Sequence, residues 1–170
     1  MTKWAYVFIG DGNTGKTTFQ KELLYHVTGA RYIRLDCNLE FSINARFGAR
    51  NAQTISFMNR SIQEKLEDYK SVENFFISYF NSADIAILST HVCKSDIEIM
   101  LAELKKRFYN VCGVFFQNSV SQNSQNEVIS MLEWQERYFV KNPVVSDEAD
   151  WNNMLEKSAL EFAFHILNKN

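Results

Sequence analysis

Gly10, Asp11, Gly12, Asn13, Thr14, Gly15, Lys16 and Thr17 decide how this chain is read, because they lie between an apolar run, Trp4 to Ile9, and a segment whose apolar residues Phe19, Leu23 and Val27 recur at helical intervals. The order is strand, tight loop, helix. Three glycines let the main chain wrap closely around a phosphate chain, and the amides entering the helix point at the anion. Lys16 adds a mobile positive charge to that cradle. The Thr17 hydroxyl suits Mg²⁺ bridging terminal phosphates, while Thr18 starts the helix or meets the inner phosphate.

Outward from the loop, strand and helix patterns alternate. The first helix reaches Gly29, and Arg31 to Leu35 reads as a second strand closed by Asp36. Ala52 to Tyr69 and Val72 to Phe80 read as helices, and Ala83 to Leu88 as a third strand. Ser95 and Glu98 have capping-box spacing ahead of Ile97, Met100, Leu101, Leu104 and Phe108. A fourth strand, Val111 to Phe116, opens into the polar stretch Ser119 to Asn126. Ser124 and Glu127 form a second candidate capping box before Val128, Leu132 and Phe139, or belong to a solvated connection. Pro143 to Ser146 holds a short fifth strand, and Asp150 caps a last helix with Trp151, Leu155, Phe162 and Ile166 on one face. This alternation predicts an α/β protein of three layers, α/β/α, with a mostly parallel sheet of about five strands. No repeat or linker divides the chain, so residues 1–170 are expected to form one nucleotide-binding domain.

Composition narrows the function. The 170 residues are 46% hydrophobic and 14% aromatic with a single Pro, which favours a packed protein over a disordered one. With 18 basic and 20 acidic residues, a net charge of -2 gives no broad basic surface for nucleic acid. No stretch has the length of a membrane span and no secretory pattern precedes the first strand, so the expectation is a cytoplasmic protein without a membrane partner. Cys37, Cys93 and Cys112 are scattered without a CxxC pair, which argues against a disulfide framework and a cysteine-based metal site. Oligomerisation is left open.

The segment Gly10 to Thr18, in the pattern GxxxxGK[ST], resembles the P-loop NTPase superfamily. The resemblance implies that Gly10, Asp11, Gly12, Asn13, Thr14, Gly15, Lys16, Thr17 and Thr18 bind a nucleoside triphosphate, with Thr17 on the Mg²⁺. The third strand ends in Ser89, Thr90 and His91, without the terminal Asp of many ATPases of the superfamily. Asp36, at the end of the expected second strand, is similar in placement to the carboxylate that small P-loop kinases use to handle the acceptor hydroxyl. Arg46 and Arg50 follow where such kinases build an acceptor pocket, and they suit an anionic or nucleotide acceptor. Arg60 reads as a helix-surface charge.

Small kinases also close an arginine-bearing lid over ATP. Ser119 to Asn126 has no basic residue, so the expected lid extends over 119–142 and its arginine is Arg137. Lys16, Asp36, Arg46, Arg50 and Arg137 are therefore the candidate catalytic residues. Phe116, Gln117, Asn118 and Ser119 stand where guanine-specific GTPases carry Asn-Lys-x-Asp, which favours ATP. These features point to an ATP- and Mg²⁺-dependent phosphotransferase acting on a nucleotide, a polynucleotide end or a small anionic metabolite. The alternatives are a regulatory or partitioning-type ATPase or GTPase switch, although that class carries a lysine where this chain has Asp11, and a non-catalytic nucleotide-dependent interaction protein.

Overall fold

The computed structural model describes residues 2–44 and 52–169. Six strands form one sheet in the order β2-β3-β4-β1-β5-β6. They are β1 (Lys3–Ile9), β2 (Leu39–Ser42), β3 (Thr54–Ser61), β4 (Ile85–Thr90), β5 (Tyr109–Phe116) and β6 (Glu136–Val140). All neighbours pair in parallel except β2, which runs antiparallel to β3 at one edge. The sheet is thus mostly parallel, with one more strand than the sequence pattern suggests.

Helices cover both faces. α1 (Lys16–Thr28) and α7 (Glu148–Lys169) lie on one face. The other carries α2 (Leu66–Tyr69), α3 (Val72–Ser78), α4 (Lys94–Lys106) and α6 (Gln125–Ser130), and α5 (Gln117–Gln122) follows β5 directly. Central strand β1 explains the arrangement. Its Tyr6 and Phe8 join the α1/α7 core, its Ala5, Val7 and Ile9 join the opposite core, and all five are fully buried. A parallel strand covered on both sides reads as a continuous apolar run.

On the α1/α7 side the core is a nest of rings. Phe162 of α7 makes edge contacts with Tyr6 at 5.3 Å, Phe8 at 5.7 Å and Tyr138 at 4.7 Å, and a tilted contact with Phe19 at 5.7 Å. These contacts join α7 to β1, α1 and β6. The residue is fully buried, so its removal leaves a cavity that the surrounding rings cannot readily fill.

Three expected elements are corrected. The segment from Ala52 to Tyr69 is not one helix: it holds β3, a 3₁₀ turn at Ile62–Lys65 and α2. Ile55, Met58, Ile62, Leu66 and Tyr69 imitate a helical stripe, but Ile55 and Phe57 enter one core while Met58 and Ile62 enter the other. Second, Arg31 to Leu35 forms no strand, and β3 takes the place in the sheet beside β4. Third, Pro143 to Ser146 forms no strand and Phe139 ends no helix. β6 forms instead, with Tyr138 and Val140 directed to the α7 side. The polar stretch 119–126 contains parts of α5 and α6 rather than a plain loop.

Phe162→Ala should lower unfolding free energy by about 3–5 kcal/mol. Phe164→Ala, at a residue 59% exposed on the same helix, should change it by less than about 1 kcal/mol. Urea denaturation checks both, and equal effects would contradict this account of the core.

Candidate functional site

The glycine-rich loop leaves β1 and delivers the chain into α1 at the carboxyl end of the parallel strands, where ligands bind in open α/β sheets. Gly15 precedes α1 in the left-handed region at φ 90°, and no side chain caps the helix. A Cβ at Gly15 would lie 2.9 Å from Trp151 Cζ2 and 3.0 Å from Leu155 Cδ1. Backbone conformation and the close approach of α7 therefore both require glycine here. No acidic residue occupies the first turn of α1, so the positive end of this 13-residue helix is available to an anion.

Lys16 is buried in the loop. Its ammonium donates to the carbonyls of Gly10 and, at 2.9 Å, Asp11, and to Thr14 Oγ1 at 3.3 Å. Burial lowers its pKa from the ordinary 10.5 to about 8, against the opposing pull of the Glu64 and Asp11 carboxylates. The loop is also held from outside. The Thr14 carbonyl accepts from Asn118 Nδ2 at 3.3 Å and Asn142 Nδ2 at 2.9 Å. Asp11 accepts from the Val92 amide at 3.3 Å and from Asn123 Nδ2 at 2.9 Å.

Two cavities are lined by this loop, and a third adjoins the first of them. The first, about 590 Å³, is lined by Gly12 to Thr18 together with Asn59, Arg60, Ser61, Glu64 and Trp151. A second, about 500 Å³, lies on the other side of Trp151 and is bounded by Asn118, Val144, Val145 and Ser146. A third, polar and about 330 Å³, shares Asn59, Arg60 and Glu64 with the first and adds Arg34, Asp36, Cys37 and Lys65.

The wall common to the first and third cavities comes from an irregularity in β3. Phe57 pairs with Ile87 but Ser61 with Ser89, so β3 has two additional residues between these pairs. Such bulges re-aim side chains. Here the affected stretch includes Asn59 and Arg60. Glu64 lies one turn onward and contacts Arg60 at 3.3 Å and His91 Nε2 at 3.3 Å. Thr17 Oγ1 donates to the Asn59 carbonyl at 3.4 Å, and buried Ser61 Oγ has no partner among the described residues. Thr17, Ser61 and Glu64 thus supply oxygen donors of the kind Mg²⁺ accepts.

The sequence-selected residues divide accordingly. Gly12, Asn13, Thr14, Gly15, Lys16, Thr17 and Thr18 line the first cavity. Gly10 and Asp11 lie behind it, with their carbonyls on Lys16. Asp36 is not at a strand end: it precedes β2, its side chain is 73% exposed, and it pairs with Arg34 at 3.7 Å in the third cavity. Arg46 and Arg50 lie outside the described residues.

Arg137 is not beside the loop. It projects from β6, and its guanidinium donates to the carbonyls of Ser130 and Leu132. The segment expected as a lid, 119–142, instead supplies most of α5 and all of α6 and β6. Trp151 is part of the core and also separates the first two cavities.

Asn59, Ser61, Glu64, Asn118 and Asn142 were not singled out by sequence. The first three were hidden by the helical spacing across β3, whereas Asn118 and Asn142 follow apolar strand runs at the ligand edge. Cys37 also lines the third cavity, and its thiol donates a hydrogen bond to Asn59 Oδ1 at 3.1 Å, while burial pushes its pKa up. Glu22, His26 and Glu156 form another cluster, between α1 and α7, with ligand atoms within 4.8 Å of one another. The Arg31 guanidinium contacts its two carboxylates at 3.2 and 3.6 Å, supplying a cation from within the chain.

Comparison with protein-family models gives no match, and comparison with curated proteins gives none either. No described helix is long and apolar enough to cross a membrane.

The folded state holds the Lys16 proton less tightly than the unfolded chain does. The resulting penalty is full below about pH 8 and is relieved as pH rises from about 8 towards 10.5. Relative to Lys16→Met, the wild type should gain stability across this interval in urea denaturation. A constant difference would contradict the buried ammonium.

Proposed function

We propose that this chain is a P-loop protein that transfers the terminal phosphoryl group of Mg²⁺-ATP to a small anionic or nucleotide acceptor. The observation that carries this reading is the uncapped start of α1, with Lys16, opening into a cavity that shares Asn59, Arg60 and Glu64 with a second polar cavity. Triphosphate and acceptor can then approach one another across a common wall.

Helix amides and Lys16 bind the phosphates on the donor side. The apolar surface of Val144 and Val145, with Asn118, suits the base. Asn118 Oδ1 is buried without a partner among the described residues, and it fits the exocyclic amino group of adenine as an acceptor. On the acceptor side, Arg34 and Lys65 provide cations for a phosphate or carboxylate. Glu64, common to both cavities, is better situated than Asp36 to receive the acceptor proton, and Asp36 is left to orient the acceptor.

In this scheme the acceptor oxygen forms a bond to the γ-phosphorus as the bond to the β,γ-bridging oxygen breaks, and ADP carries away the electron pair. The acceptor hydroxyl proton passes to the Glu64 carboxylate. Lys16 and Arg60 offset charge on the transferred group. Thr17 and Ser61 would hold Mg²⁺, which would supply further charge neutralisation at the phosphates.

Lys16→Ala should weaken Mg²⁺-ATP binding by about tenfold or more while preserving the circular dichroism of the fold. Isothermal titration checks this, and unchanged affinity would remove the P-loop assignment. Glu64→Gln should retain ATP binding but reduce transfer by roughly 10²-fold or more. The assay follows radiolabelled ATP with pooled nucleoside monophosphates, 5′-hydroxyl oligonucleotides and small phosphorylated or carboxylated metabolites. Label entering an acceptor supports phosphotransfer. Free phosphate released without an acceptor would instead support a hydrolytic switch, and binding with neither product an interaction module.

A further inference from the structure

A cavity of about 510 Å³ lies away from the loop, between α5, α6 and edge strand β6. Its size falls within the range that accommodates small molecules. Phe115, Val120 and Phe139 give it apolar walls, and Phe139 is 51% exposed. Its polar lining residues include Asn126, Glu127 and Arg137.

Asn126 is 2% exposed. Its amide nitrogen donates to Ser119 and to the Asn123 carbonyl, whereas its Oδ1 has no partner among the described residues. A buried acceptor of this kind is costly unless a donor reaches it. Arg137 is anchored to the carbonyls of Ser130 and Leu132, but neither Arg137 nor Glu127 has an ion-pair partner among the described residues. Their opposite charges therefore face one cavity without contacting each other.

We infer that this cavity binds an α-amino acid with a large apolar side chain. Its carboxylate meets the Arg137 guanidinium, its ammonium donates to Asn126 Oδ1 and the Glu127 carboxylate, and its side chain lies between Val120 and Phe139. A simple anion would leave Asn126 Oδ1 without a donor and Glu127 without a counter-charge, and a simple cation would leave Arg137 without a counter-charge. A zwitterion answers all three.

Occupation is transmitted to the glycine-rich loop. Asn126 donates to the Asn123 carbonyl, and the Asn123 side chain donates to Asp11 at 2.9 Å, so the ligand rigidifies the strut that holds the loop. The ligand site and this coupling stand without the proposed phosphotransfer.

Calorimetry of the full chain without nucleotide, using L-phenylalanine and L-leucine, tests the site. Phenylacetate and phenethylamine serve as single-charge controls. The expected result is binding of the amino acids, weakened about tenfold or more by Arg137→Gln and by Glu127→Gln, with both controls weaker than L-phenylalanine. No binding of either amino acid at millimolar concentration would overturn the inference. Affinity indifferent to both substitutions, or a control that binds as well as L-phenylalanine, would do the same. Hydrogen exchange tests the coupling: L-phenylalanine should slow exchange of the loop amides from Asp11 to Lys16 in the wild type but not in Asn123→Ala. Unchanged exchange in the wild type would overturn the coupling.

Discussion

Two asparagine amides converge on the carbonyl of Thr14, and the ligand edge of the molecule is organised around that meeting. Asn118 follows β5, Asn142 follows β6, and Thr14 belongs to the loop after β1, so three segments are joined at one oxygen. The Asn118 backbone N–H donates to Asn142 Oδ1 at 3.4 Å, which links the two supports. In a buried setting such bonds are strongly selected, since each unmade one leaves a desolvated polar group. They fix the loop carbonyl two residues before α1.

Beneath this polar apex the structure is conventional in its physics. β1 is buried on both faces, α7 is anchored through Phe162, and the closest approach of α7 to the loop is made possible by the missing side chain of Gly15. Packing and loop geometry are consequently not independent. Trp151 lies against Gly15 and also lines two cavities, so a change in the seating of α7 is felt at the glycine-rich loop.

The parts of this arrangement legible in sequence are those controlled by local pattern. The glycine-rich turn between strand and helix, the apolar runs of β1, β4 and β5, and the long face of α7 each carry their own periodicity. β3 does not, because a strand buried on both faces loses its alternation, and its apolar residues happened to be spaced like a helical stripe. That misassignment concealed Asn59, Ser61 and Glu64, and the strand expected over Arg31 to Leu35 put Asp36 at the ligand edge in their place. β6 was lost for a related reason: its five residues were too few to outweigh the apparent helix leading to Phe139. The meeting of Asn118 and Asn142 at Thr14 is a product of strand order, which no window of sequence contains.

The two additional residues in β3 have an evolutionary consequence. Asn59 and Arg60 lie between the regular pairings of β3 with β4, where side chains can be exchanged without resetting the register of either strand. This wall belongs to both polar cavities, yet it contributes little to the two buried cores. Selection can therefore rewrite which partner molecule is preferred while the loop, the sheet and the aromatic nest are inherited intact.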